Sequence, residues 1–501
     1  MIDKGEIARI LEMHSDEVLS ALAVVLPDLT DSEIFNLLEL LEDQESFQTR
    51  LPLRIRLYAL IYNESRRPEL RLIALLRLLR RLGSRRDTPD LGDIPSDSTD
   101  FAIFVREKAN ELSDNLSLTD AIISLADATL AYRTGDIATM NTATSKGLKA
   151  ISEMEIWTDP PVTLTPLALL VAETGHELYY IAANAVYRAG NIEKAREIAE
   201  TWSGLIEKWE SILGPLMRQR YQYYQLVGQL NYEVGLLEPA LEAFHEALSY
   251  APSPYRRAFI WLRQAKIERE MARLDDSWMH AVLAIEAFLE SPFPQAAATW
   301  LEWLALDADT PKRKTEIGRL KEKFGRIDRI NSLEINRVTR AMTELYRILG
   351  ELRTTSNPGK LNSRLDTLID ELEKDGSWKN LVTLLATKAV VAGRVNDRDT
   401  VDKSISRARE IINSKLTDDV RPPQEFFLES AHALALRDVG AYEEALNTLF
   451  EKALEARKKY PGGYGPEEKT AMEAVYYLGA LSGLDPDSID RKIRDTISDI
   501  R

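Results

Sequence analysis

Residues 221–254 read YQYYQLVGQLNYEVGLLEPALEAFHEALSYAPSP. Apolar residues recur there at spacings of three and four, the period of an amphipathic helix, on either side of a break at Gly235. Two helices joined by a tight turn are predicted. Gly235 stands where a helix end wants a left-handed residue, and Pro252 closes the second helix. Gly228 leaves room for a close helix crossing, and Ala240, Phe244 and Ala247 form a small–large–small row on the facing helix. Small residues let two backbones approach, and the ring fills the space beside them. One such hairpin cannot bury its apolar face alone, so it needs similar neighbours stacked on it.

Looser copies occur elsewhere. Residues 176–209 carry Ala183, Gly190-Asn191, Ala195 and Ala199, and residues 426–460 carry Ala433, Gly440-Ala441-Tyr442 and Ala445. Residues 121–150 carry Ala128, Tyr132 and Gly135-Asp136, with Met140 in place of the expected alanine. On these residues the 221–254 stretch resembles a tetratricopeptide (TPR) repeat along its whole length. Asn231 occupies the eleventh position, where the repeat usually has an aromatic, with Tyr232 beside it. Gly190 and Gly235 are 235 − 190 = 45 residues apart, which predicts helices longer than in the standard repeat. The resemblance implies an all-α fold, a TPR-like α-solenoid of stacked antiparallel helical hairpins, here preceded by a small N-terminal helical domain. Strand signals are nearly absent.

Helix ends are marked along the chain. Gly190, Gly235, Gly393 and Gly440 each follow an apolar-periodic run and are expected as C′ residues. Thr30-Asp31-Ser32-Glu33 is a capping box, and Thr310-Pro311 and Asp485-Pro486 place proline at the first helical position. Residues 83–100 (GSRRDTPDLGDIPSDSTD) and 157–164 (WTDPPVTL) read as a linker and a long loop. The expected division is an N-terminal domain over 1–85, a linker over 86–100, TPR-like repeats over 101–310 and further TPR-like or helical repeats over 311–501.

Composition narrows the function. The 501 residues carry a net charge of −16, which opposes whole-chain binding to nucleic acid. There is no cysteine, so thiol catalysis, iron–sulfur clusters and Cys-ligated zinc are excluded. The five histidines, His14, His176, His245, His280 and His432, are too dispersed for a local HExxH-type metal site. No phosphate-binding glycine loop, GxGxxG turn or GxSxG elbow is present. The reading is therefore non-enzymatic, with no cofactor and no metal. The start MIDKGEIARILEMHSDEV lacks a basic head followed by an apolar run, and the most apolar stretch, 163–187, is broken by Glu173, His176 and Glu177. A cytoplasmic location without a membrane span is the expectation.

The resemblance also implies where a partner would lie. Stacked hairpins leave a concave face lined by each first helix, and carrying over the repeat's groove positions gives Glu177, Tyr180, Asn184, Tyr187 and Arg188 in one unit. The next unit contributes Gln222, Gln225, Gln229, Tyr232 and Glu233. This lining is polar and bears tyrosines, a side-chain type favoured at interfaces. Tyr180 stands where the carboxylate-clamp lysine of some TPR units would be, so that ligand class is not implied. The expected function is a scaffold or adaptor for a protein or peptide. A regulatory sensor that binds a peptide or small ligand and controls a partner enzyme or transcription complex is the alternative.

Charge is divided unevenly at the N-terminus. Residues 1–53 hold 12 acids and 3 bases, whereas 54–86 hold 10 arginines and 2 glutamates. On a helix from Pro68 to Leu82, Arg67, Arg71, Arg77, Arg80 and Arg81 fall on one side and Leu72, Leu75, Leu76, Leu79 and Leu82 on the other. Three readings stay open: pairing with the acidic first helices, docking of an acidic protein partner, or binding of nucleic acid or an anionic membrane surface. A second basic run, 311–340, has ten bases against four acids and reads as a solvated helix face or an electrostatic docking site. The aromatics between Trp202 and Trp303 are expected in cores and between repeats rather than in a ligand cage.

Overall fold

The computed structural model describes residues 15–41, 51–80, 91–326, 337–416 and 421–451, apart from single residues and pairs within these ranges. Two compact units are present, Met1–Val227 with His245–Ser253, and Gly228–Phe244 with Pro254–Arg501. The first contains α1 (Ser15–Val25), α2 (Leu51–Glu64), α3 (Pro68–Leu79), α4 (Ser98–Leu112), α5 (Leu116–Thr134), α6 (Ile137–Ser152), α7 (Glu155–Thr158), α8 (Pro166–Arg188) and α9 (Ile192–Leu213). Helices α10 (Met217–Glu233) and α11 (Leu237–Ser249) are shared between the units. The second continues with α12 (Pro254–Glu270), α13 (Leu274–Glu290), α14 (Ala296–Ala305), α15 (Pro311–Gly325) and α16 (Arg337–Thr354). It ends with α17 (Lys360–Asp375), α18 (Trp378–Arg394), α19 (Arg398–Lys415) and α20 (Arg421–Asp438). Among the described residues there is no strand.

In each unit a helix packs on its successor and commonly on one further along: α5 on α6 and, past the one-turn α7, on α8; α8 on α6 and α9; α18 on α19 and α20. That is the stacking of a TPR-like α-solenoid. The long spacing from Gly190 to Gly235 is explained by the helices between them: α9 has 22 residues and α10 has 17. Ala128, Ala183, Ala195, Ala199, Ala433 and Ala445 are all buried, and Met140 fills its alanine site without exposure. At Gly228 an added Cβ would lie 2.9 Å from the Phe244 ring, so the small residue and the aromatic meet as the sequence predicts.

Side-chain caps set several helix starts. Asp97, Asp136, Asn191, Thr310 and Asp397 each accept a backbone N–H of the first turn, a bond worth about 1 kcal/mol. The Thr30–Glu33 box forms in both directions, with Thr30 N donating to Glu33 Oε2 at 2.7 Å and Glu33 N to Thr30 Oγ1 at 3.3 Å. Gly440 ends its run with φ 81°. Gly393 does not cap a helix. It lies inside α18, where its missing Cβ admits the backbone of Ala435 in α20, and the turn after α18 instead uses Asn396 at φ 59°. Gly190, Gly235 and Asp485-Pro486 fall outside the described residues. The 157–164 stretch begins with a core residue: Trp157 is fully buried in α7, and its carbonyl accepts Trp209 Nε1–H at 3.2 Å.

One apolar core runs through the first unit, from Val18 and Leu37 through α3 and α5 to Trp209. Helix α3 is enclosed by α2, α4 and α8, so it is buried almost all round. On the expected arginine side, Arg77 is itself buried, only 3% exposed. In the second unit the cations of α15 meet acids of α13 and α14: Arg319 to Glu286 at 2.8 Å, Lys321 to Glu302 at 2.8 Å and Lys323 to Glu290 at 3.3 Å. Local ion pairing thus accounts for much of the basic run over 311–325.

Candidate functional site

Helices α8 and α10 place the predicted lining residues. Tyr180, Asn184 and Tyr187 of α8 and Gln222 and Gln225 of α10 are half-buried, as are Gln229 and Tyr232 in the part of α10 that belongs to the second unit. Asn184 Nδ2 is turned onto its own helix, donating to the Tyr180 carbonyl at 2.8 Å. The side chains of Arg188 and Glu233 lie outside the described residues.

Glu177 is buried and ion-paired rather than open. Its carboxylate receives Arg80 Nη1 at 3.2 Å and also Arg218 Nη2. One turn earlier, Glu173 receives Arg77 Nη2 at 3.2 Å, Arg80 Nη2, and Arg218 Nη1 at 3.7 Å. Three guanidiniums therefore meet two carboxylates. Arg77 Nη1 also donates to the Leu38 carbonyl at 2.7 Å. So Arg77 and Arg80 do pair within the fold, with Glu173 and Glu177 of α8; most acids of 1–53 fall outside the described residues. Burial is the reason: α3 reaches α8 across its core, and an arginine there needs a partner it can touch.

The other arginines differ. Arg67 is exposed at the start of α3. Arg71 lies over the Tyr62 ring at 4.9 Å and donates to the Tyr62 carbonyl at 3.0 Å. Arg81 lies outside the described residues. Glu173 and Arg218 were not among the predicted lining residues. Their signal was available, since each stands four residues before one that was, Glu177 and Gln222.

Aromatics brace the face from below. Tyr180 meets the fully buried Trp202 at 6.0 Å, Trp202 meets Tyr223 at 6.3 Å, and Tyr224 stacks on Tyr250 at 5.6 Å. Trp202 Nε1 donates to Nδ1 of His176 at 3.0 Å, which puts the histidine proton on Nε2. Burial holds this imidazole down at about 3 from an ordinary 6.5, and the nearby Glu173 carboxylate offsets only part of that. The folded value is depressed, so the histidine's contribution is complete above 6.5 and is lost as pH falls toward 3. Between pH 8 and pH 5 the wild type is expected to lose about 2 kcal/mol through this residue. His176→Gln keeps an acceptor for Trp202 and does not titrate. Urea unfolding against pH should show that share of the slope gone in the variant, and parallel curves would refute it.

Among the described residues no three His, Cys, Asp or Glu side chains gather as a metal site requires. No helix there is long and apolar enough to cross a membrane. No protein-family model and no curated protein matches the chain. Among solved structures, a Rap protein crystallised with competence and sporulation factor is similar at 15% identity and a TM-score of 0.44. The match covers 82% of this chain and 98% of that one.

Proposed function

We propose that the protein is a non-catalytic scaffold that binds a protein or peptide segment along the face carrying Tyr180, Asn184, Tyr187, Gln222 and Gln225. The observation that carries this reading is a row of half-buried polar and tyrosine side chains on two successive helices. Buried tryptophan braces it, and the Arg–Glu cluster closes one end. Tyrosine loses little side-chain entropy on contact, and a braced ring is already positioned, so such a face recovers binding energy efficiently. The amide side chains supply hydrogen bonds to an extended backbone.

The test is selection from a displayed random-peptide library. Peptides enriched on the wild type should bind the Tyr180→Ala/Tyr187→Ala/Gln222→Ala variant at least about tenfold more weakly. Equal binding by a variant of unchanged helicity would overturn the reading.

A further inference from the structure

Helix α12 has a surface that its core role does not explain. Its inner side, Ala258, Leu262 and Ala265, is buried, and Ser277 of α13 donates to the Ala265 carbonyl at 2.7 Å. On the outer side, Arg256, Phe259 and Arg263 are exposed and Lys266 is half-buried. These residues fall at intervals of three, four and three, which is one helical face. They also stand 34 residues after Gln222, Gln225, Gln229 and Tyr232 (256 − 222 = 34). The second unit thus presents the next copy of the predicted lining row, with different chemistry.

That chemistry is basic and aromatic. Helix α12 holds five cations, Arg256, Arg257, Arg263, Lys266 and Arg269, against Glu268 and Glu270. Glu268 is buried beneath this face and bonded to His280 Nδ1 at 2.7 Å. Lys266 lies over the Trp300 ring at 5.4 Å and Arg269 over Trp303 at 5.5 Å, which fixes two charges on indole faces of α14. Phe259, an exposed ring between two arginines, is held edge-on by Tyr255 at 4.9 Å and Phe288 at 5.4 Å. A rigid exposed aromatic flanked by arginines is the composition of an interface anchor.

We propose that this face of α12 docks an acidic peptide segment, with Arg256, Arg263 and Lys266 meeting its carboxylates and Phe259 taking an apolar side chain between them. The register rests on the same reading of successive first-helix faces as the α8–α10 site, but the residues are different. Charge complementarity selects the partner. A short acidic peptide feels the local cations, because charges beyond a Debye length of about 8 Å are screened. A long polyphosphate chain would also run onto the rest of a chain of net charge −16.

Fluorescence anisotropy of the full chain tests this with three probes: a short labelled peptide of glutamates interrupted by leucines, its lysine counterpart, and an oligouridylate. The acidic peptide should bind, with affinity falling as salt rises. Arg263→Glu and Phe259→Ala should each weaken it about tenfold or more. Arg263 is exposed, so Arg263→Glu should leave helicity and unfolding temperature unchanged; Phe259→Ala also loses ring contacts with Tyr255 and Phe288, and its binding is compared at a temperature where its helicity matches the wild type. The Tyr180→Ala/Tyr187→Ala/Gln222→Ala variant should bind this probe like the wild type, whether or not the α8–α10 reading survives its own test. Failure of the acidic peptide to bind, undiminished binding by Arg263→Glu, loss in the α8–α10 variant instead, or tighter binding of the oligouridylate would each overturn the proposal.

Discussion

Gly393→Ala lowers the unfolding free energy by about 1–3 kcal/mol, whereas the same change at Gly318 raises it by about 0.5–1 kcal/mol. Both glycines lie inside helices of the second unit, so alanine brings the same helix-propensity gain to each. The difference is what the new methyl meets. At Gly393 it would lie 2.8 Å from the Ala435 carbonyl oxygen and 2.9 Å from the Ala435 Cα. Backbone cannot rotate aside, so α18 and α20 must separate. At Gly318 nothing lies within 4 Å. Gly228→Ala should fall between the two, because its obstacle is the Phe244 ring, which can tilt. Urea unfolding of the three variants checks the order, and a stabilising Gly393→Ala would contradict the close packing of α18 on α20.

Glu173→Ala costs about 3–5 kcal/mol, the penalty for removing one carboxylate from a buried ion pair. Arg77 has a side chain only 4% exposed and is ion-paired to Glu173, itself 10% exposed. Arg80 and Arg218 would keep Glu177 at 3.2 Å or closer, whereas Arg77 would lose the Glu173 carboxylate. The double variant Arg77→Met/Glu173→Leu should recover most of the loss, since an apolar pair of similar volume avoids desolvating either charge. The measurement is again the unfolding midpoint in urea. Equal losses in the single and double variants would show that packing around Glu173, and not its charge, is what the site needs.

The cluster shows where reading residues in order reaches its limit. Glu177 and Arg80 were each singled out, one as part of a lining and the other as part of a basic helix, and nothing in their spacing joins them. They are 177 − 80 = 97 positions apart and meet because α3 packs on α8. The angle around α3 puts Arg77 on the side that carries Arg80, and both reach Glu173. Whether that side is open or enclosed is a property of neighbours, not of period. Following an apolar run, Gly393 has the sequence signature of a helix terminator. Its use is to admit another backbone, which only the position of α20 reveals.

Other features needed no tertiary information. The Gly228–Phe244 crossing, the Thr30–Glu33 box, the Thr310 cap and the buried alanines follow from geometry within a few turns, where helical spacing fixes which side chains meet. The amino-acid order by itself therefore determined that this protein is built of paired helices with a repeated small–large packing code. Tertiary structure decided which charges are consumed inside and which remain on a surface, because burial depends on contacts between segments far apart in the chain. Arg77 and Arg263 are the same residue type on two helices. One is enclosed and ion-paired to Glu173, the other stands exposed on α12, and only the packing of neighbouring helices distinguishes them.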